Sequence, residues 1–421
     1  MGYTNPKSLS LFLHVILCNN LERMKIKAFL LTAIMALVGI QSFGQVPTGQ
    51  TMNPNVITTA VPFVSIAPDA RGGAMGDCGV ASEADVYSMH YNPAKYTFLE
   101  EDMSIGLGYS PWLRNLVPDM NLAYLAFATK LTPKSALAAT LRYFSCGEIT
   151  FVDNNNQNPM TYKPYEMAFD ATYSRMLTEY LSGAVAGRFI LSNLVGNYTD
   201  GSTAGWSVAA DVAVYYKRPV EWFSDKAADF SWGLNINNIG SKLSYSNQSI
   251  EKDFIPTTLR FGTGLKVELD EYNTLGFMVD VTKLLVPTPP VYSGDTMYGM
   301  DPDVPVVVGM IQSFYDAPGV SVDNYGVKTD VGAFYEELCE YNYGLGAEYW
   351  YNNVFALRAG YFHEASMKGN RKYITLGAAL KYSSLGLDIS YLIPVNGNKV
   401  GTNPLENTLR FNLTYDIISK K

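Results

Sequence analysis

From about residue 102 to the C-terminus the chain alternates apolar and polar side chains with a period of two, which is the period of a β-strand whose two faces meet different surroundings. In 259–270, Leu259, Phe261, Leu265, Val267 and Leu269 alternate with Arg260, Gly262, Gly264, Lys266, Glu268 and Asp270. Near the end, Leu409, Phe411, Leu413, Tyr415 and Ile417 alternate with Thr408, Arg410, Asn412, Thr414 and Asp416. A soluble sandwich and a transmembrane barrel both produce this pattern, with opposite meanings for the oily face. Connection lengths separate them. Strands starting near 102, 119, 135, 165, 181, 204, 229, 257, 273, 341, 353, 371, 384 and 405 are joined alternately by tight turns (LTPKS, LTEY, DEYN, YNN, YSS) and long loops (146–163, 194–203, 240–256, 285–340). That sorting is expected of a meander with turns on one side of a membrane and loops on the other. The segment KRPVEWFSDKAAD (217–229) stands out as a connection that should be tight and reads as long.

The sequence therefore predicts an all-β fold, a transmembrane antiparallel β-barrel of about fourteen strands. Composition agrees: only 17% of residues are charged, against about 25% in soluble domains. Tyr349, Trp350, Tyr351, Tyr361 and Phe362 fit interfacial girdles. Charge on the lipid face, as in Leu265→Arg, is expected to cost about 2–4 kcal/mol, whereas Gly264→Arg on the lumen face should mainly perturb the interior. The formal net charge of −8 argues against nucleic acid as a partner.

The N-terminus carries a secretory signal. From Met24, MKIKAFLLTAIMALVGIQSFGQ places Lys25 and Lys27 before an apolar run, with Ser42 and Gly44 at a plausible cleavage point. Residues 1–23 read as an upstream extension or as part of one longer signal. The organisation is then 1–44 signal, 45–101 an N-terminal plug, and 102–421 the barrel with long surface loops.

The stretch ARGGAMGDCG (70–79), followed by MHYNPAK, lies in that plug. It is no phosphate loop, since neither Gly-Lys-Ser nor Gly-Lys-Thr follows. Arg71, Gly72, Gly73, Gly76, Asp77, Asn92 and Pro93 are instead read as structural. Glycine allows close approach to a barrel wall and positive φ, and Asn92-Pro93 ends a short turn or helix. A ligand site in this stretch stays open as the alternative.

No catalytic residue, metal site or cofactor is expected. Beyond the signal there are two histidines, His90 and His363, and no Gly-x-Ser-x-Gly. Cys78, Cys146 and Cys339 show no metal spacing, and a Cys146–Cys339 bridge stays open. Inward-facing Asp211, Glu268, Asp388, Asp416, Arg142, Arg188, Arg260, Arg358 and Arg410 fit lumen ion pairs. Two apolar surface stretches are candidate partner- or cargo-binding sites: Trp112, Leu113, Leu116 and Val117 in the first loop, and Val306, Val307, Val308, Met310, Ile311 and Phe314 in the longest. Packing of loop on loop is the competing reading.

The stretch PDARGGAMGDCGVASEADVYSMHYNPAKYTF resembles the N-terminal signature of the PorV-type outer-membrane proteins of type IX secretion, a branch of the FadL-like barrels. YSPWLRNLVPDMNLAYLA, KDFIPTTLRFG, QSFYDAPG, GAEYWYNNVFALRAGYFHE, GNRKYITLGAALKY and NPLENTLRF resemble that family too. Cys78 departs from the small apolar residue expected there. The resemblance implies a FadL-like barrel in the outer membrane of a Gram-negative bacterium, contacting outer-membrane lipid. It also implies a non-enzymatic role: binding the type IX translocon barrel, receiving secreted cargo with a C-terminal signal, and delivering it to surface attachment complex proteins. A FadL-type channel for hydrophobic small molecules is the alternative; a lipid A deacylase lacks a visible nucleophile–base pair.

Overall fold

The computed structural model describes residues 54–114, 117, 119–151, 160–194, 203–222, 226–246, 252–322, 328–395, 405 and 408–417. Fourteen strands form one closed antiparallel barrel. In chain order they are Met103–Pro111, Asn121–Thr132, Ser135–Ser145, Tyr165–Met176, Leu181–Asn193, Gly205–Trp222 and Lys226–Gly240. Thr258–Glu268, Asn273–Leu284, Tyr341–Tyr351, Phe355–His363, Lys372–Tyr382, Leu385–Pro394 and Leu409–Ile417 complete the set. The first strand pairs with the last, closing the sheet, so no edge is left to recruit another chain. No helix among the described residues is long and apolar enough to cross a membrane; the strands do so.

Closure explains why the alternation is so regular. Each strand turns one face to lipid and the other to the lumen, and in-register pairing lines up like faces. Leu107, Leu125, Leu141, Phe169, Phe189 and Val208 oppose one another across successive strands. All are exposed, forming part of an oily belt. Phe169→Arg, central in its strand, is expected to cost about 2–4 kcal/mol, measured as a drop in the denaturant midpoint of the heat-modifiable form.

Three expectations change. The 217–229 segment is no long connection: Gly205–Trp222 and Lys226–Gly240 stay paired out to Trp222↔Lys226, so the hairpin extends past its neighbours. Trp350 and Phe362 leave the proposed girdle. Trp350 lies 5.6 Å from the Arg358 guanidinium, and Phe362 stacks on Tyr373, whose hydroxyl reaches Asp77 in the plug. Their place in the period turns both inward.

The lumen is not a water-filled space that would tolerate Gly264→Arg. A Cβ on Gly264 would already lie 2.6 Å from Ser231 Oγ and 2.8 Å from the Ala81 carbonyl oxygen. Charge on the lumen face is therefore costly here through contact rather than through solvation.

Candidate functional site

Residues 54–101 carry no strand; they form short turns and one short helix, α1 (Ala70–Gly73). Asp69 caps α1, accepting from the Gly72 N–H at 2.7 Å. The Ala70 N–H donates to Asn412 Oδ1 on the last strand at 2.7 Å. Arg71 forks onto Glu348, with Nε–Oε2 3.0 Å and Nη2–Oε1 2.8 Å, and also reaches Asp85 at 3.0 Å. The same Oε2 also accepts from Arg358 Nε at 2.6 Å, and Arg358 continues to Asp388 at 2.5 Å.

The named glycines meet the wall or other plug side chains directly. A Cβ on Gly72 would lie 2.2 Å from Tyr91 OH, and one on Gly73 would lie 2.6 Å from Arg410 Nη1. Neither has positive φ, so close approach is the constraint there. Gly76 has both, with φ +67 and Tyr361 backbone at 2.5 Å, and its N–H donates to Thr375 Oγ1 at 2.9 Å. Asp77, also at positive φ, accepts from Tyr373 OH at 2.5 Å. Gly79 and Val80 donate to Asp280 Oδ2 on the wall at 2.7 and 2.9 Å.

Asn92-Pro93 closes one 3-10 turn (Ser88–His90) and opens the next (Pro93–Phe98), where Asn92 Oδ1 accepts from Ala94 N–H at 3.0 Å. Its amide also donates to Val80 O and Val214 O, tying plug to wall. His90 lies buried with Nδ1 3.2 Å from Arg142 and Nε2 3.4 Å from Arg260. Cys78 is buried, and Cys78, Cys146 and Cys339 are all free thiols, so the Cys146–Cys339 bridge is not formed. Of the inward charges, Glu268 sits exposed at its strand end rather than inside.

A cavity of about 410 Å³ lies beneath the plug at the tight-turn end. Arg71, Glu83, Asp85, Glu348, Lys381 and Asp416 line it together with Phe98, Met278 and Trp350, so charged and apolar groups share its wall.

The described residues of the long 285–340 connection are ordered into the strand pairs Val291–Ser293 with Thr296–Tyr298 and Val320–Val322 with Lys328–Asp330, and two short helices, α2 (Val306–Gln312) and α3 (Ala333–Leu338). Gly309 of α2 faces inward, where a Cβ would lie 2.9 Å from the Phe254 ring, and Gln312 is buried, donating to the Asp301 carbonyl at 2.9 Å. The helical period then turns Val307 and Ile311 outward, each at least 60% exposed, with Val308 and Phe314 beside them. Val306 and Met310 are half-buried.

The first-loop residues have different neighbours. Trp112 is half-buried against the plug and wall cluster that includes Phe63, Val64, Leu122 and Phe144, and its ring is 6.0 Å from the Arg410 guanidinium. Leu113 and Val117 are half-buried; Leu116 lies outside the described residues. The two apolar stretches are thus not one surface: the first packs downward on the plug, and α2 faces outward.

Beneath α2 is a polar cluster that periodicity did not reveal. Lys283 reaches Glu340 at 2.6 Å and Glu337 at 3.5 Å, and Lys368 reaches Glu336 at 2.7 Å and Glu340 at 3.0 Å. Asp316 accepts from the Thr288 N–H at 3.0 Å. Burial, with the Glu340 charge adding to it, pushes the Asp316 carboxyl up to about 6, against the opposing Thr288 hydrogen bond. Burial and Glu340 likewise raise Glu337. The carboxylate spacing of EELCE (336–340) was the available sequence signal.

The family model described as "Type IX secretion system protein PorV" matches residues 49–291, more than half of the chain. No curated protein matches. Among solved structures, the chain is similar to the Pseudomonas putida toluene transporter TodX (12% identity, 84% of this chain and 99% of that one, TM-score 0.44). It is also similar to the CymD monoaromatic hydrocarbon channel (13%, 86% and 100%, 0.43) and a Pseudomonas aeruginosa FadL homologue (10%, 86% and 99%, 0.39).

Proposed function

The chain belongs to the PorV family of the type IX secretion system, and from that premise we propose that it acts without chemistry of its own, as an outer-membrane adaptor. It binds the translocon barrel, receives cargo carrying a C-terminal secretion signal and hands it to the surface attachment complex. What supports a docking role at this position is the outward apolar face of α2, with Val307, Val308, Ile311 and Phe314 exposed on the long-loop side of the barrel. Apolar groups at an aqueous mouth are covered by a partner when nothing in the fold covers them. The occupant proposed for this face is the cargo's signal-bearing C-terminal segment.

A channel for hydrophobic small molecules fits less well. The plug occupies the lumen with charge pairs such as Arg71–Glu348–Arg358, and charged side chains stand among the apolar ones around the cavity beneath it.

Val307→Asp with Ile311→Asp tests the docking face, because both side chains point outward and neither underlies the loop. Heat-modifiability of the barrel should be unchanged, while cargo co-purifying with the protein falls about tenfold or more, as for loss of interface anchors. A weakened barrel with capture intact would instead mean that α2 packs against other loops.

A further inference from the structure

We infer that the long-loop cluster holds a divalent cation, of the calcium class, between Asp316, Glu337 and Glu340. One carboxylate oxygen from each residue lies within 4.8 Å of the others. Oxygens ligating calcium at about 2.3–2.6 Å are separated by up to about 5 Å, so the three fit around one ion.

The second observation concerns Asp316 itself. Its residue is 1% exposed. Oδ2 is held by the Thr288 N–H, but Oδ1 is buried with no hydrogen-bond partner. A buried carboxylate oxygen without a donor is costly unless something positive meets it.

The protein's own cations do not suffice. Lys283 and Lys368 are spent on Glu336, Glu337 and Glu340, and neither forms an ion pair with Asp316. Four buried carboxylates against two ammonium groups leave an excess of two negative charges, which one divalent cation balances.

Oxygen-only ligands select a hard cation, and an irregular, protein-buried set suits calcium better than magnesium, which demands near-ideal octahedral geometry and keeps its waters. Bound there, the ion would join Asp316, directly after the α2 turn, to Glu337 and Glu340 around the end of α3. The docking loop would be clamped to the barrel rim. The inference rests on the cluster geometry and stands whether or not α2 receives cargo.

The test uses the full-length barrel folded in detergent free of lipopolysaccharide and stripped with chelator. Calorimetric titration with calcium chloride should give one site per chain, with Kd of about 10⁻⁴–10⁻³ M, as for extracellular modules. Trypsin cleavage after exposed Lys328 should slow about tenfold at about ten times Kd, since only the ion-free loop opens. Asp316→Asn should keep the heat-modifiable barrel and lose both responses. Glu337→Gln, which leaves Asp316 in place, should weaken both and serves as the variant if the first fails to fold. Absence of binding heat and of protection in the unmodified protein would overturn the inference, leaving a shared proton as the compensating charge. Unaltered affinity in either folded variant would overturn it as well, as would equal binding of magnesium the choice of calcium.

Discussion

Glu348→Gln is expected to destabilise the folded barrel by about 3–5 kcal/mol, the usual cost of removing one member of a buried ion-pair network. Glu348 is the anion shared by Arg71 of the plug and Arg358 of the wall. Without its charge both guanidiniums remain buried, with Asp85 and Asp388 as their outer carboxylates and the Glu83 carbonyl still accepting from Arg71. With its oxygen at the shared Oε2 position the amide still accepts from both Nε atoms, but its NH₂ then faces the Arg71 Nη2 donor. Denaturant titration of the heat-modifiable form measures the loss. Lys217→Met removes the partly exposed rim pairs with Glu83 and Asp229 and should cost no more than about 1 kcal/mol. Equal effects in the two variants would mean that the Arg71–Glu348 contact does not anchor the plug.

Gly360→Val should be at least as damaging, by about 3 kcal/mol or more, at the severe end of overpacking. A Cβ there would lie 2.1 Å from Gly76 N and 2.2 Å from the Met75 carbonyl carbon. Both are backbone atoms, so no side-chain rotation relieves the clash, and Gly76 is fixed at positive φ. The plug must lift from the wall, exposing 70–79 to protease. Gly187→Val is the matched control. That glycine is exposed on the belt side, and its Cβ would meet nothing within 4 Å. Comparable protease sensitivity in both would mean that the substitution, not the plug contact, causes the damage.

The barrel was legible because strand period and connection length are local properties. The strand starting near 273 and the turn DEYN before it can be read without knowing what lies opposite. The extended hairpin was not, because Pro219, Trp222 and the charges around them break the oily alternation where the strands run beyond the belt. Trp350 and Phe362 were misassigned by residue type, which says nothing of which face a side chain takes. The need for glycine at 72, 73 and 76 was readable, but the partners Tyr91, Arg410 and Tyr361 were not, since no short-range pattern connects them. The same holds for Arg71 and Glu348, 277 positions apart, and for Asp316, which adjoins EELCE only once the loop folds.

The plug is also stitched to the last strand: Ala70 N–H to Asn412, Gly73 under Arg410, and Tyr87 OH to the Leu413 carbonyl. These ties join residues 70–87 to the last strand, across up to 342 positions. Contacts of such separation form late and slowly. During biogenesis the plug groups that face the last strand, Ala70 N–H and Tyr87 OH among them, therefore wait for these partners until that strand arrives and closes the ring. Completion of the barrel and the last of the plug's ties become one event, so a chain that stops short acquires neither.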